Sequence, residues 1–172
     1  MYKNDDDATT ERIKKQEKKY RYITTLLLND MFSATTNTIQ HTIHTEKVDV
    51  RFTAVTDNGS MITYDIEVKE RNKNIEQYPN AELRCKKYEG MKEVSYNDNL
   101  IYIVFLNQKE AYIYNLTKMD WSTVRKDNWK IKKTQYKDNS TYVDELTYFI
   151  PVKLACKKIN VEKYYKLYNA NN

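Results

Sequence analysis

The chain has few of the residues that hold small disulfide-rich or zinc-binding domains together. Its 172 residues include only two cysteines, Cys85 and Cys156. Two cysteines provide no disulfide framework, and their separation does not match a zinc site. A reduced, cytoplasmic setting is therefore expected. The two histidines, His41 and His44, are three positions apart with no cysteine nearby, so we expect polar strand or loop positions rather than metal ligands.

Long apolar segments and internal repeats are also missing. No stretch is apolar enough to span a membrane, and the first residues do not resemble a secretory signal. We therefore expect no membrane partner. The length suits one domain with a sizeable core, and we assign residues 8–172 to it. Residues 1–7 are polar and acidic, and we expect a flexible tail there.

The charge balance permits a polyanionic partner without demanding one. Charged residues make up 31% of the chain, and the formal net charge is +5. Lysine, asparagine, isoleucine and tyrosine are abundant, with 16 tyrosines. An AT-rich genome produces the same bias, so the number of lysines is weaker evidence for nucleic-acid binding than it first suggests.

Residues 48–71 predict two β-strands that fold back on each other at Asp57, Asn58 and Gly59. Successive side chains of a strand point to opposite faces, so each strand has an apolar and a polar face. The apolar face comprises Val48, Val50, Phe52, Ala54, Ile62, Tyr64, Ile66 and Val68. The polar face comprises Asp49, Arg51, Thr53, Thr63, Asp65, Glu67 and Lys69. By itself this pattern is also typical of an ordinary amphipathic hairpin with a charged, solvent-facing side.

The register of the hairpin follows from these faces. A two-residue turn would place polar residues opposite apolar ones, whereas a three-residue turn with Gly59 left-handed matches every pair. In that register Arg51 faces Asp65, which is favourable, but Asp49 faces Glu67. Two carboxylates in contact repel each other. A divalent cation between Asp49 and Glu67 would remove the repulsion.

Asp49, followed on the next strand by Glu67-Val68-Lys69, resembles the signature of the PD-(D/E)XK nuclease superfamily. The resemblance covers residues 11–95, and Val48 stands where the family has proline. Within the superfamily, the chain resembles the small single-domain members of phage or resolvase type. The resemblance implies a restriction-endonuclease-like α/β sandwich, in which a mixed β-sheet core is flanked by helices. The order of predicted helices and strands favours the same α/β class.

The resemblance also implies a chemistry. Mg²⁺, or Mn²⁺ in its place, would bind Asp49, Glu67 and the carbonyl of Val68, while Lys69 would position the attacking water or neutralise developing charge. The expected protein is a metal-dependent nuclease that hydrolyses phosphodiester bonds in DNA during recombination, repair or restriction. RNA stays open as a substrate, and a homodimer and a phage-encoded protein in the host cytoplasm are compatible with the pattern.

Two further residues have alternative interpretations. The first predicted helix spans residues 9–29, and Glu17 lies in its apolar stripe. In the resembled family such a glutamate often reaches the site, so Glu17 either joins the catalytic residues or pairs with a lysine at the edge of the stripe. A second helix is predicted over residues 79–94. Its Lys87 either snorkels to the surface, where it could hold nucleic acid, or reaches the carboxylates.

The rest of the chain predicts strands at residues 35–45, 100–106, 111–116, 129–136 and 145–153, and a helix at 161–168. The run at 100–106 is apolar throughout, which predicts a central strand buried on both faces. Pro151 indicates an edge strand or a strand end. The basic segments 125–137 and 157–158, together with Trp129 and Tyr136, favour a second function, a catalytically silent nucleic-acid-binding module that holds backbone phosphates and stacks bases. Its expected backbone contacts are Lys130, Lys132 and Lys133, together with Lys87.

Overall fold

A computed structural model describes residues 4–32, 38–41, 47–55, 58–74, 76–77, 79–95, 99–132 and 142–171. Within these ranges the chain forms three α-helices and nine β-strands. The helices are α1 (Asn4–Phe32), α2 (Cys85–Val94) and α3 (Glu162–Ala170). The strands are β1 (Thr38–His41), β2 (Val50–Val55), β3 (Met61–Arg71), β4 (Asn80–Arg84), β5 (Leu100–Leu106), β6 (Glu110–Asn115), β7 (Arg125–Lys132), β8 (Tyr142–Pro151) and β9 (Lys157–Asn160).

The described strands form two sheets. The larger sheet has the order β1-β2-β3-β5-β6-β9, and the smaller sheet has the order β4-β8-β7. In the larger sheet β3 and β5 are parallel, and the other neighbours are antiparallel. A parallel pair needs a crossover connection, and α2 lies within it. The predicted α/β architecture, a mixed sheet flanked by helices, is confirmed.

The register predicted for the β2–β3 hairpin is confirmed. The strands pair Val50 with Ile66 and continue in that register to Val55 and Met61. Gly59 has a φ of +79°, the left-handed conformation that a three-residue turn requires and that glycine adopts without a Cβ clash.

Two apolar cores lie on opposite faces of the larger sheet. On one face α1 and α3 pack against the hairpin, with Ile23, Phe52 and Ile66 all buried. On the other face α2 and the smaller sheet pack against β5 and β6, with Leu83 and Met91 buried. Strand β5 contributes side chains to both cores, which confirms that the run at 100–106 is a central strand.

Several predicted boundaries differ from the observed ones. Residues 80–84 of the helix predicted over residues 79–94 form strand β4, because Ala81 and Leu83 alternate into the core and β4 pairs with β8. Helix α1 begins at Asn4, so part of the proposed tail is helical. Strand β8 ends at Pro151 as expected, but it is the central strand of its sheet. Strand β9 is absent from our prediction.

Two predicted strands are only partly within the described residues. Of the strand predicted at 35–45, the structure describes residues 38–41 as β1. The strand predicted at 129–136 corresponds to β7, an edge strand, and residues 133–136 lie outside the described part. No helix in the described ranges has the length and apolar character needed to cross a bilayer.

Candidate active site

Asp49 is held at the end of the hairpin by the backbone of β3. It immediately precedes β2, and its backbone N–H donates to the carbonyl of Ile66 at 3.0 Å. Its carboxylate oxygen Oδ2 accepts a hydrogen bond from the Val68 N–H at 2.8 Å. These two bonds fix the Asp49 carboxylate beside Glu67, as the register predicts, although Asp49 itself lies just outside the paired residues of β2.

Glu67 is the more buried member of this acidic pair. Its side chain is 12% exposed, against 39% for Asp49. The pKa of Glu67 is raised to about 8, mainly by burial and next by the neighbouring Asp49 carboxylate, while the Lys87 ammonium opposes both effects. A protonated Glu67 also donates a hydrogen bond to Asp49, which favours the neutral form. Near neutral pH the pair therefore holds a proton.

Lys87 reaches the carboxylates from α2. Its Nζ lies 2.7 Å from Oε2 of Glu67 and 3.6 Å from Oδ1 of Asp49. Burial alone would lower the pKa of Lys87, but the facing carboxylates outweigh burial and raise it. Of the two alternatives for Lys87, the structure has the second, because Lys87 reaches the carboxylates and does not snorkel to the surface.

The acidic pair fits a divalent cation. The Oε2 atom of Glu67 is buried, and among the described residues it accepts no well-aligned hydrogen bond, although Lys87 lies close to it. Two abutting carboxylates offer the hard oxygen ligands that Mg²⁺ prefers. The described residues contain no group of three or more acidic, histidine or cysteine side chains that could hold a metal ion by themselves. Completing the shell would therefore require the carbonyl of Val68, water or substrate oxygens.

Strand geometry places the carbonyl of Val68 at the same edge of β3 as Asp49. In an extended strand the N–H and C=O of one residue point to the same side, and the Val68 N–H is bonded to Asp49. The predicted metal ligands Asp49, Glu67 and Val68 are thus placed together by the structure.

Lys69 lies next to Glu67 on the same face of β3, since the two residues are separated by one position. It is half-buried. Burial lowers the pKa of Lys69, and the nearby guanidinium of Arg71 lowers it further. A lowered lysine pKa makes proton transfer at neutral pH easier, which suits the predicted role of Lys69 beside the carboxylates.

Glu67 and Lys69 line a cleft of about 600 Å³ between β3 and the smaller sheet. Basic side chains outnumber acidic ones in its lining by six to three. The basic residues are Lys69, Arg71, Arg84, Lys86, Lys87 and Lys130, and the acidic residues are Glu67, Glu82 and Glu145. The excess of positive charge favours a negatively charged ligand such as a phosphate backbone.

Glu17 does not belong to this site. Helix α1 packs on the face of the sheet that contains Ile66, whereas Glu67 points to the opposite face. Glu17 instead lines a separate cavity with Tyr168 and Asn171. The expectation that Glu17 joins the catalytic residues is therefore corrected; its position in the apolar stripe reflects packing near the C-terminal helix.

The predicted nucleic-acid contacts are placed in different ways. Lys130 is exposed and lines the cleft. Lys132 is the last residue of β7, and its side chain lies outside the described part. Lys133 lies outside the described residues altogether. Lys87, assigned to the same set, binds the carboxylates instead.

Three basic residues of the cleft are missing from the sequence-based set. Arg71 continues the alternation of Glu67 and Lys69 along β3, so the same period-two pattern could have identified it. Arg84 and Lys86 flank the junction between β4 and α2. The sequence pattern assigned that junction to the interior of a helix, and therefore did not direct these side chains into the cleft.

Comparisons with known proteins give a distant similarity in structure. No protein-family model matches the chain, and no curated protein is similar to it in sequence. The structure is similar, with a TM-score of 0.43 and 10% sequence identity, to Hjc, a Holliday junction resolvase from Archaeoglobus fulgidus. The similarity covers 80% of this chain and 96% of that protein. An identity this low transfers no residue role from the resolvase to this chain.

Proposed function

We propose that this protein is a metal-dependent nuclease that hydrolyses phosphodiester bonds in DNA. The observation that supports the proposal best is the Asp49–Glu67 pair, in which two carboxylates meet and one is buried. Lys69 follows on the same face, within a cleft that has an excess of basic side chains. An acidic pair beside a basic cleft, with one of its carboxylates lining that cleft, is expected where a cation and a phosphate must be held together.

Each residue has a distinct task in this proposal. Asp49, Glu67 and the Val68 carbonyl would hold Mg²⁺, with Mn²⁺ as a substitute. The ion, when bound, supplies a Lewis acid for the phosphate oxygens and lowers the pKa of the attacking water. Lys69 orients that water by hydrogen bonding and moves a proton at its Nζ, helped by its lowered pKa.

Arg71 and Arg84 would hold the phosphates on either side of the bond that is cut. Nη2 of Arg71 lies 3.1 Å from Oε2 of Glu82, and Nη1 of Arg84 lies 3.5 Å from Oε2 of Glu145. Each guanidinium is therefore oriented by a carboxylate partner. The planar guanidinium still has further N–H donors for phosphate oxygens.

A specific observation also favours a catalytically silent nucleic-acid-binding module. Lys87 contacts both carboxylates, and an internal ammonium can neutralise an acidic pair without any metal. In that case the basic cleft would bind DNA or RNA, and no bond would be cut. The two functions differ in their dependence on Lys69.

Single-turnover cleavage by a Lys69→Ala variant tests the proposal. An ammonium has no lone pair for a metal, so the variant should keep its metal and most of its DNA affinity. Loss of a positioned proton-transfer group costs on the order of 10²–10⁴ in rate, so we expect cleavage at least about a hundredfold slower. The measurement pairs cleavage of plasmid DNA in Mn²⁺ with a binding isotherm in Ca²⁺ at fixed salt.

Lys73→Ala is the matched control, because Lys73 is an exposed lysine beyond the end of β3 and outside the cleft. It should cut at the wild-type rate. If Lys69→Ala cuts as fast as Lys73→Ala, the assignment of Asp49, Glu67 and Lys69 is wrong. If the wild type binds DNA but cuts none with Mg²⁺ or Mn²⁺, the silent module is the better description.

A further inference from the structure

The smaller sheet extends a two-stranded ribbon beside the cleft. Strand β4 pairs with β8 only over Thr147–Pro151, whereas β7 pairs with β8 along its whole length. The outer part therefore consists of residues 128–132 of β7 and 142–146 of β8, and we call it the β7–β8 ribbon. Within the described residues the ribbon has no third strand.

Trp129 lies on this ribbon and lines the same cleft as Glu67 and Lys69. It is 44% exposed, although its ring packs against Phe149 with centroids 5.3 Å apart and ring planes at 76°. Exposed tryptophan is unusual, because the indole is among the largest apolar side chains. Its rigid, partly accessible ring is therefore available to a ligand in the cleft.

Trp121 provides an internal contrast. Its indole N–H donates to the carbonyl of Leu116 at 2.9 Å, and its ring packs against Tyr88 and Tyr148. These contacts account for Trp121 as part of the fold. Trp129 has no comparable set of partners among the described residues, and folding alone does not explain its position on the cleft wall.

The charges around Trp129 favour a phosphate backbone. Lys130 follows it in the chain and is exposed, and Lys86 adds a second exposed ammonium to the cleft. The acidic residue directly across the ribbon is Glu145, which Arg84 already pairs at 3.5 Å. An aromatic side chain among cations is the combination that binds single-stranded nucleic acid, where bases stack and phosphates are neutralised.

We propose that Trp129 stacks on an unpaired base of a nucleic acid whose backbone follows the basic cleft to Glu67 and Lys69. A base inside a duplex has both of its ring faces covered by neighbours, so an unpaired base offers its ring face to the indole far more readily. The preferred substrate therefore has single-stranded nucleotides next to the bond that is presented to the acidic pair. This inference rests on the proposed function for the position of the cut, but not for the stacking itself.

Fluorescence separates the two tryptophans. In a Trp121→Phe variant Trp129 is the only tryptophan, in Trp129→Phe the only tryptophan is Trp121, and excitation at the red edge of the absorption band excites tryptophan without the tyrosines. Titration with a short oligothymidylate in Ca²⁺ should quench the emission of Trp121→Phe strongly and that of Trp129→Phe little. Trp129→Ala should weaken binding of the oligothymidylate by about five- to 150-fold, the range that corresponds to stacking on one base.

Leu146→Ala is the matched control, because Leu146 also lies on the ribbon and is 40% exposed, but does not line the cleft. It should bind as the wild type does. Equal weakening of oligothymidylate and blunt duplex in Trp129→Ala, or no quenching in Trp121→Phe, would overturn the stacking proposal. The former result would indicate instead that the ribbon contacts duplex DNA.

The outcomes for stacking and for catalysis are separate. If oligothymidylate quenches Trp121→Phe but the wild type shows no metal-dependent cleavage, the nuclease proposal is wrong and the stacking proposal stands. Cleavage of duplex DNA at the wild-type rate by Trp129→Ala, with no quenching in Trp121→Phe, would keep the nuclease and remove the stacking.

Discussion

Replacing Glu67 by glutamine should stabilise the fold at alkaline pH while abolishing metal binding. The substitution keeps the shape of the side chain and removes its charge. Glu67 is buried against the Asp49 carboxylate, and its pKa is raised to about 8 from an ordinary value of 4.5. Above that pH the wild-type protein has to keep two adjacent carboxylates charged, with Lys87 as their common partner.

The direction follows from proton binding. Between pH 4.5 and about 8 the folded protein keeps a proton on Glu67 that the unfolded chain has released. The contribution of Glu67 to the free energy of unfolding is therefore greatest below pH 4.5 and decreases as the pH rises to about 8. The full difference corresponds to roughly 5 kcal/mol at 1.36 kcal/mol per pKa unit. Movement of Lys87 and entry of water reduce this cost, so roughly 5 kcal/mol is the upper value.

Urea unfolding in EDTA at about pH 5 and about pH 9 measures this effect. The quantity of interest is the difference in unfolding free energy between Glu67→Gln and the wild type. Comparing the two proteins at each pH cancels groups that titrate equally in both, including the histidines. We expect the difference to be small at the lower pH and to favour the variant by several kcal/mol at the higher pH.

The same urea experiment repeated with Ca²⁺ in place of EDTA tests whether Glu67 is a metal ligand. Ca²⁺ at about 100 times its Kd should restore about 2.7 kcal/mol to the wild type at the higher pH and nothing to Glu67→Gln. If the difference between the two proteins is the same at both pH values, Glu67 does not have a raised pKa. If Ca²⁺ stabilises Glu67→Gln as much as the wild type, Glu67 is not a ligand.

Three further predictions concern single contacts. Lys87→Met removes the internal cation from the acidic pair, so calorimetric titration should show at least about tenfold tighter Mn²⁺ binding; weaker binding would show that Lys87 does not compete with the metal. Arg51→Met removes the ion-pair partner of the buried Asp65 carboxylate, and urea unfolding should show a loss of about 3 kcal/mol or more in unfolding free energy. The double variant Arg51→Met with Asp65→Leu should recover much of that loss. Equal losses in the single and the double variant would refute a charge effect. Glu17→Gln should leave single-turnover cleavage unchanged because Glu17 lies across the sheet from the site, and a slower rate would contradict that placement.

The sequence predicted local features that a short alternation determines. The hairpin register depends only on matching apolar and polar faces across one turn, and that information lies within 24 residues, 48–71. The same register placed Asp49 beside Glu67 and Arg51 beside Asp65, which the structure reproduces with a 2.7 Å ion pair between the latter two.

The smaller sheet could not be predicted in the same way. Strand β4 has only five residues, and its partner β8 lies about 60 residues further along the chain. Ala81, Glu82 and Leu83 are good helix formers, so local propensity favoured a helix. Burial of Ala81 and Leu83 against the larger sheet and pairing with β8 outweigh that propensity, and neither is visible within a local window.

The same sheet determines the electrostatics of the acidic pair. Strand β4 passes directly into α2 at Cys85, so Lys87 lies three residues beyond the last paired residue of β4, Arg84. The position of the Lys87 ammonium beside Glu67 therefore depends on the pairing of β4 with β8. Because β8 also pairs with the strand that contains Trp129, one small sheet places both the cation on the carboxylates and the opposite wall of the cleft. A ligand that contacts Trp129 is therefore connected to Lys87 through the β7–β8 and β8–β4 strand pairs.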